Sequence, residues 1–421
     1  MSNAYKPRIV DSLLKERLEY AGAVLIEGPK WCGKTMTALQ QSKSVLEMQD
    51  ENNSERYLKV ADTQPSTLLE GEKPRLIDEW QLAPVLWNAI RNRVDKSGKA
   101  GQYILTGSYV PAKNQNRHSG AGRFSRLMMR PMTLFESGVS KGNISLQALF
   151  EGTAEIAAMS ELTLKELATS LVKGGWPMYI DQSEKICTLA LRDYLSTIAE
   201  TDISRVNGVR RNPAHVKLLM KSLARNTSSM ATISTIRKDM TGDQDKISDK
   251  TVMSYLSELR HLYIVEDVPA WNPSVRSKTA IRTTPKRHFV DPSISAAALH
   301  MNSDLLLQDF NTFGLLFESL CVRDLRVYSQ PFSGEVCHYR DSYDNEVDLV
   351  IALEDGRWAA IEVKMGTSEI EKAAKNLHKL HSTVDTEKMN EPSFMMILTA
   401  TGPAYTREDG IHVVPIGCLK N

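Results

Sequence analysis

The chain has 421 residues, of which 42% are hydrophobic and 24% are charged, and its formal net charge at pH 7 is +1. This length exceeds one ordinary hydrophobic core, so we expect two to four domains of normal globular composition. The near-zero net charge excludes nucleic-acid binding through a global positive field, so any such contact would have to come from local basic patches.

Cysteine usage and hydropathy indicate a cytoplasmic protein. The five cysteines are odd in number, scattered and without CxxC spacing, which favours reduced thiols over a disulfide framework or a zinc site. The first twenty residues contain no apolar signal core, and no apolar run approaches the length that spans a membrane. We therefore expect a cytoplasmic location and no membrane association.

A phosphate-binding loop is predicted near the start of the chain. The unbroken GxxxxGK[ST] pattern consists of Gly28, Pro29, Lys30, Trp31, Cys32, Gly33, Lys34 and Thr35. It follows the apolar run 23–27 and opens a helix, which is the strand–loop–helix order that such a loop requires. Backbone N–H groups would hold the phosphates of ATP, Lys34 would reach the β- and γ-phosphates, and Thr35 would hold Mg²⁺. The structural alternative is a glycine turn that caps a helix.

A second apolar strand supplies the acids that such a loop needs. The run 75–77 ends in Asp78 and Glu79. Asp78 is predicted to lie beside the Mg²⁺, and Glu79 to orient or deprotonate the attacking water. A third strand is predicted over 103–107, where Thr106 or Ser108 is either a sensor of the γ-phosphate or a turn residue.

Arg123 is a candidate arginine finger because it lies in a glycine-rich segment, Gly120-Ala121-Gly122-Arg123-Phe124. An arginine placed in this way can add positive charge to a phosphoryl-transfer transition state in its own subunit or in a neighbouring one. The alternative is an ordinary solvated arginine. A role in a neighbouring subunit would require a homo-oligomer.

These motifs, together with a closing Pro-Met-Thr-Leu-Phe-Glu at 131–136, resemble a family of bacterial and archaeal AAA-type ATPases over residues 21–136. The resemblance implies ATP binding and hydrolysis, with a further conserved domain of unknown function later in the chain. It leaves the biological substrate open.

The middle of the chain is predicted to be helical, with a winged helix over about 228–271. A helix near 230–240 precedes a second helix whose apolar face includes Val252, Leu256 and Leu259, and a strand is expected over 263–268. This winged helix either reads DNA through the second helix or connects domains. Two basic stretches flank it and could contact phosphates or be solvated surface. Their members are Arg205, Arg210, Arg211, Lys217, Lys221 and Arg225, and then Arg276, Lys278, Arg282, Lys286 and Arg287.

The C-terminal part carries the spacing of a metal-dependent nuclease core. Two strands are predicted over 346–353 and 358–365; Asp348 lies on the first, and Glu362 and Lys364 lie on the second. A two-residue turn would place Asp348 opposite Val363, so that the two acids would point to opposite faces. A three-residue loop, 354–356, with a left-handed Gly356, would place Asp348 opposite Glu362. The nuclease hypothesis predicts the three-residue loop.

This arrangement resembles the PD-(D/E)xK nuclease superfamily, particularly its resolvase-like members with an acid on a helix, over about residues 310–421. The literal Pro-Asp is missing, because Asp348 follows Val347. The resemblance implies that Asp348 and Glu362 bind Mg²⁺ or Mn²⁺, that Lys364 positions water or stabilises charge, and that Glu318 adds a ligand. The alternatives are a nuclease-like fold that only binds, and an unrelated hairpin.

We therefore predict an α/β multidomain protein with three parts. These are a P-loop AAA-like ATPase domain (1–140), a helical and winged-helix middle (141–300) and a restriction-endonuclease-like α/β domain (301–421). The primary hypothesis is an ATPase coupled to a metal-dependent nuclease-like domain that acts on nucleic acid, DNA being favoured over RNA. The main alternative is a nucleotide-switched protein that binds DNA, RNA or a protein through a catalytically silent nuclease fold. A stand-alone ATPase with an inert tail is the third hypothesis.

Overall fold

The computed structural model describes residues 5–109, 120–206, 208–241, 247–273, 283–341, 343, 345–385 and 389–421. The chain divides into two compact units. Unit 1 comprises Met1–Pro131, Glu200–Arg211 and Glu258–Ile264, and unit 2 comprises Met132–Ala199, Asn212–Ser257 and Val265–Asn421. In the described ranges, no helix is long and apolar enough to cross a membrane. The division into domains 1–140, 141–300 and 301–421 stays a prediction.

The α-helices and strands are numbered in chain order. The helices are α1 (Val10–Tyr20), α2 (Lys34–Leu39), α3 (Ser54–Thr63), α4 (Pro65–Leu68), α5 (Val85–Ser97), α6 (Leu146–Phe150), α7 (Leu164–Lys173), α8 (Glu184–Thr197), α9 (Ile203–Arg205), α10 (Pro213–Arg225), α11 (Ile233–Thr241), α12 (Asp249–His261), α13 (Pro292–Ala298), α14 (Ser303–Gln308), α15 (Phe310–Ser329) and α16 (Ile370–Thr383). The strands are β1 (Ala23–Glu27), β2 (Ser44–Glu47), β3 (Arg75–Asp78), β4 (Tyr103–Gly107), β5 (Phe124–Met128), β6 (Ile144–Ser145), β7 (Ala158–Met159), β8 (Glu335–Arg340), β9 (Glu346–Ala352), β10 (Trp358–Lys364), β11 (Phe394–Thr399), β12 (Pro403–Thr406), β13 (His412–Pro415) and β14 (Leu419–Lys420).

Unit 1 is built on a five-stranded sheet in the order β2-β3-β4-β1-β5, in which every pair is parallel. Residues of β1 pack alternately into two cores. Leu25 joins a cluster with Trp80 and Trp87, whereas Val24 joins a cluster with Leu14 of α1. Burial on both faces explains why β1 and β4 are apolar along their length rather than alternating. Because the strands are parallel, the loops after β1, β3 and β4 leave the sheet at the same edge.

Unit 2 contains a seven-stranded mixed sheet in the order β7-β12-β13-β11-β10-β9-β8, together with the small pair β14-β6. Helix α16 lies on this sheet through Ala373 and Leu377, which share a core with Trp271 and Trp358. The β9–β10 hairpin is antiparallel, and its last paired residues are Leu349 and Ile361. Continuing the ladder by one residue places Asp348 opposite Glu362.

The hairpin loop confirms the predicted three-residue register. The N–H of Leu353 donates to the carbonyl of Arg357 at 2.8 Å, so residues 354–356 form the loop. Gly356 has φ +86°, a left-handed conformation that costs glycine little. The side chains of Asp348 and Glu362 therefore share one face of the sheet.

In the winged-helix region the two helices are confirmed as α11 and α12, but the strand predicted over 263–268 is not formed. The segment instead makes isolated antiparallel bridges, Val265 with Phe289 and Val268 with Lys286. Both bridges lie in one antiparallel register, and between them the N–H of Glu266 donates to the carbonyl of His288 at 3.0 Å. The assignment of a winged helix stays a prediction.

Candidate nucleotide-binding site and acid–lysine cluster

The phosphate loop leaves β1, an interior strand of the sheet, through a backbone that only glycine tolerates. Gly28 has φ +155°, and a Cβ there would lie 2.1 Å from the carbonyl oxygen of Met129. Gly33, with φ +102°, is the N-cap of α2. The loop therefore turns sharply and runs directly into the N-terminus of α2, the kind of helix end that binds phosphate.

Lys34 lies inside this loop rather than in solvent. Its side chain is buried, and its ammonium donates to the carbonyl oxygens of Gly28 at 3.0 Å and Pro29 at 2.7 Å. These bonds hold the positive charge where the phosphates of a nucleotide would be cradled.

The Thr35 hydroxyl and the Asp78 carboxylate meet at the same edge of the sheet. Thr35 Oγ1 donates to Asp78 Oδ1 at 2.8 Å. Thr106, fully buried at the end of β4, donates to the same oxygen and accepts the N–H of Glu79 at 3.1 Å. An alcohol and a carboxylate on adjacent elements are oxygen ligands of the kind that Mg²⁺ takes in nucleotide sites, so these residues fit the ion.

Glu79 is held by a local network in a strained conformation. Its φ of +54° lies in the left-handed region, which is uncommon for a residue with a side chain and is typical of functional positions. Ser108 Oγ donates to its Oε1 at 2.9 Å, and the Gln81 amide donates to Oε2. Ser108 and Thr106 thus position the two acids. Whether either senses a γ-phosphate stays a prediction.

An ion pair that the sequence did not reveal lies on the phosphate loop. The ammonium of Lys30 is 2.7 Å from the Asp202 carboxylate, whose side chain is only 5% exposed, and Arg205 is 4.0 Å from the same carboxylate. Burial raises the pKa of nearby Tyr109, and the charge of Glu79 raises it further. Asp202 belongs to no motif and is 172 residues from Lys30 in sequence, so local pattern analysis could not pair them.

Arg123 lies at the opposite edge of the sheet from the phosphate loop. Its carbonyl accepts the N–H of Ala23, the first residue of β1, whereas Gly28 follows the last. Five strand residues separate the two edges, a distance of about 16 Å. The guanidinium pairs with Asp95 at 2.6 Å, both side chains being well exposed. This placement excludes a role at its own phosphate loop, and a role in a neighbouring copy stays a prediction.

The predicted C-terminal residues Asp348, Glu362 and Lys364 come together in unit 2. Lys364 Nζ is 2.8 Å from Asp348 Oδ2 and 2.6 Å from Glu362 Oε2. Asp348 Oδ2 also accepts the backbone N–H of Val363 at 2.8 Å. Asn376 of α16 donates to Glu362 Oε1 at 3.3 Å.

Lys286 completes the group, and its predicted place in a solvated or phosphate-binding basic stretch is wrong. Its side chain is 3% exposed, and its ammonium lies 3.0 Å from Glu318, 3.1 Å from Glu346 and 3.8 Å from Asp348. We call the six side chains the acid–lysine cluster. They are Lys286, Glu318, Glu346, Asp348, Glu362 and Lys364.

The ionisation of the cluster follows from burial and from the two lysines. Burial raises the pKa of Glu318 to about 7, although the charge of Lys286 opposes this shift. Burial likewise raises the pKa of Glu362 to about 8, against the opposing charge of Lys364. Burial also acts to raise the pKa of Asp348, but both ammonium groups hold it below its ordinary value. The acids in turn hold the pKa values of both lysines above their usual range despite burial.

This arrangement does not fit the predicted metal site of Glu318, Asp348 and Glu362. Among the described residues, no three His, Cys, Asp or Glu side chains are grouped so that they could hold a metal ion. The physical reason is that an ammonium lies against each of the three predicted ligands, Lys286 on Glu318 and Asp348, and Lys364 on Asp348 and Glu362.

The basic stretches of the middle region are also partly neutralised. Arg211 lies 3.2 Å from Glu258, Arg225 lies 3.4 Å from Asp239, and Arg287 is buried at 2.7 Å from Asp267. Arg276, Lys278 and Arg282 lie outside the described residues. The side chains of Lys217 and Lys221 on α10, and of Lys250 on α12, are exposed.

Comparison with family models divides the chain into three matched segments. Residues 21–137 match an AAA domain, residues 164–305 match a domain of unknown function (DUF8612), and residues 313–419 match another domain of unknown function (DUF4143). A search of curated proteins gave no match.

Among solved structures, a Walker-type ATPase of Pyrococcus abyssi is 14% identical with a TM-score of 0.44, covering 68% of this chain and 94% of its own. A DNA replication initiation factor is 15% identical with a TM-score of 0.26, covering 59% of this chain and 86% of its own. The FIGL-1 AAA domain in complex with ADP is 15% identical with a TM-score of 0.22, and the match covers 62% of this chain and 85% of its own. The phosphate loop and the parallel sheet described above lie within residues 21–137, the segment that matches the AAA domain.

Proposed function

We propose that this chain is a nucleotide-switched ATPase that binds ATP with Mg²⁺ at the phosphate loop and hydrolyses it there. The observation that carries the proposal is the convergence of Thr35, Asp78 and Glu79 beside the buried Lys34. Lys34 and Thr35 follow β1, whereas Asp78 and Glu79 lie at the end of β3, at the same edge of the sheet. The Thr106 hydroxyl of β4 donates to the Asp78 carboxylate and accepts the backbone N–H of Glu79. A glycine turn that merely caps a helix would not need this arrangement.

Each side chain has a defined task in this proposal. Lys34 exchanges its two loop carbonyls for phosphate oxygens and neutralises their charge. Thr35 and Asp78 hold the Mg²⁺, which supplies positive charge to the phosphate when bound. Glu79, oriented by Ser108 and Gln81, accepts a proton from the attacking water.

Removal of the metal tests the proposal on the unmodified protein. We expect phosphate release from ATP with Mg²⁺ and no release above background with excess EDTA, because Thr35 and Asp78 offer the nucleotide no positive charge by themselves. The measurement is steady-state phosphate release by the full chain. Equal release with and without Mg²⁺ would contradict the proposed site.

We further propose that unit 2 binds a partner without cleaving it, and that the partner is nucleic acid, DNA first. The absence of cleavage is supported by Lys286, which does not belong to the predicted nuclease residues and places an ammonium against Glu318 and Asp348. The choice of nucleic acid is supported by the exposed lysines Lys217, Lys221 and Lys250. Binding through them would weaken as salt concentration rises.

A second candidate function is metal-dependent cleavage of phosphodiester bonds by unit 2. It is favoured by the hairpin register, which brings Asp348, Glu362 and Lys364 onto one face. The test is cleavage of labelled linear, single-stranded and branched DNA with Mn²⁺, with and without ATP. Cutting that is lost in Lys364→Ala would establish this function, whereas intact DNA throughout would favour the non-cleaving partner-binding domain.

A further inference from the structure

Lys286 is fixed in place by the backbone around it, unlike a surface lysine. Its N–H and its carbonyl both bond to Val268, at 3.0 and 2.9 Å. The next residue, Arg287, exchanges backbone bonds with the segment 228–229 and pairs with Asp267. The ammonium of Lys286 therefore enters the acid–lysine cluster from a segment that is anchored on both sides.

The ammonium group of Lys286 lies among acidic side chains, and it also donates to the backbone carbonyl of Asp348 at 3.5 Å. An ammonium has three donors and no acceptor, and here it faces three carboxylates, those of Glu318, Glu346 and Asp348. The two shorter separations, 3.0 and 3.1 Å, are hydrogen-bond distances. A divalent cation would instead draw its oxygen ligands to about 2.0–2.6 Å.

The charges in the interior of the cluster are nearly balanced without a metal ion. Three of its acids, Glu318, Asp348 and Glu362, have side chains that are 13%, 17% and 2% exposed. Two ammonium groups face them, and the fourth acid, Glu346, is 39% exposed and partly hydrated. Even with all three acids ionised, the buried set carries at most one excess negative charge. Adding a divalent cation would therefore leave at least one excess positive charge.

We propose that Lys286, packed against Glu318 and Asp348, supplies inside this fold the positive charge that a divalent cation would supply to the predicted metal-binding acids. The acid–lysine cluster then binds neither Mg²⁺ nor Mn²⁺ in the native protein, and its role is to hold Lys286, α15 and β9 together. The inference rests on the proposed non-cleaving function of unit 2, because a cleaving site would need the metal.

The test is titration of Mn²⁺ into the full chain without nucleotide, with free Mn²⁺ followed by electron paramagnetic resonance. We expect no stoichiometric binding by the wild type or by Lys286→Arg, which keeps the charge. Lys286→Met has a side chain of similar length without the charge, and it should bind one Mn²⁺ per chain at least about tenfold more tightly than the wild type. A tenfold change in affinity corresponds to about 1.4 kcal/mol, and removing a buried positive charge next to three acids should change the binding free energy by more than this. Adding Asp348→Asn to Lys286→Met should abolish the gain.

If Lys286→Met does not fold, a second variant tests the same inference. The double variant Lys286→Met/Glu318→Gln removes one charge of each sign and leaves Asp348 and Glu362 to bind Mn²⁺, again more tightly than the wild type. Stoichiometric Mn²⁺ binding by the wild type that Asp348→Asn removes would overturn the inference. So would a folded variant without Lys286 that binds Mn²⁺ no better than the wild type.

Phosphate release from ATP, measured in the same preparations, tests the proposed nucleotide site in unit 1. A wild type that binds no Mn²⁺ at the cluster and releases no phosphate would leave this inference standing while the proposed ATPase function falls. Mn²⁺ binding at the cluster together with normal ATP turnover would contradict this inference and leave the proposed ATPase function standing.

Discussion

Replacing Glu79 with glutamine should lower the rate of ATP hydrolysis by about 10²- to 10⁴-fold, the usual contribution of a positioned general base, while ATP binding is kept. Glutamine has nearly the same shape as glutamate, so it can keep the bonds with Ser108 and Gln81 if the amide of Gln81 turns round to accept. It cannot accept a proton from the attacking water. The measurement pairs steady-state phosphate release with equilibrium binding of ATP.

Lys34→Ala is the matched control for this prediction. Lys34 lies inside the phosphate loop, so its removal should weaken nucleotide binding as well as hydrolysis. The two variants therefore separate binding from chemistry. A Glu79→Gln protein that hydrolyses ATP at the wild-type rate would remove Glu79 from the proposed mechanism, and one that fails to bind ATP would make Glu79 a structural residue.

Replacing Arg323 with methionine should destabilise unit 2 by about 3–5 kcal/mol, because it leaves buried carboxylates without their counter-charge. Arg323 is 2% exposed and lies 2.8 Å from Asp291 and 2.7 Å from Asp324, both of which are fully buried. Asp291 accepts the N–H of Gly175, and Asp324 accepts the N–H of Leu134. These bonds connect α13 and α15 to the segments at 134 and 175, so the loss should spread through the unit.

Hydrogen exchange of peptides from α15, read by mass spectrometry, measures this loss within unit 2. Arg357→Met is the control, because Arg357 pairs with Asp355 at 2.7 Å on the surface, where water solvates both partners. We expect the control to exchange like the wild type. Equal protection of α15 in the Arg323→Met protein and the wild type would contradict the prediction.

The nucleotide site could be predicted from sequence because its parts are contiguous. The strand predicted over 23–27 is β1, and the predicted acid-bearing strand is β3 with Asp78 as its last residue. In a parallel sheet the ends of such strands meet at one edge, so Thr35 and Asp78 were expected to approach each other, and they lie 2.8 Å apart. The hairpin register was predictable for a similar reason, since loop length and Gly356 determine it locally.

The parts that sequence analysis missed depend on contacts between distant segments. Lys286 is 62 residues from Asp348, and a lysine in a run of basic residues has the same local pattern whether it is buried or solvated. Asp202 pairs with the phosphate loop across 172 residues. Arg123 shows a different limit, because its glycine-rich surroundings resemble a finger loop, and only the parallel pairing of β5 with β1 reveals that it lies at the far edge.

The most direct test of the central proposal is a single-turnover measurement of labelled ATP with excess full-length protein and Mg²⁺. The proposal predicts that ATP binds and is converted to ADP and phosphate, with conversion but not binding nearly abolished in Glu79→Gln. A wild-type protein that binds no ATP, or that binds it and leaves it intact, would contradict the proposal that this phosphate loop drives an ATPase cycle.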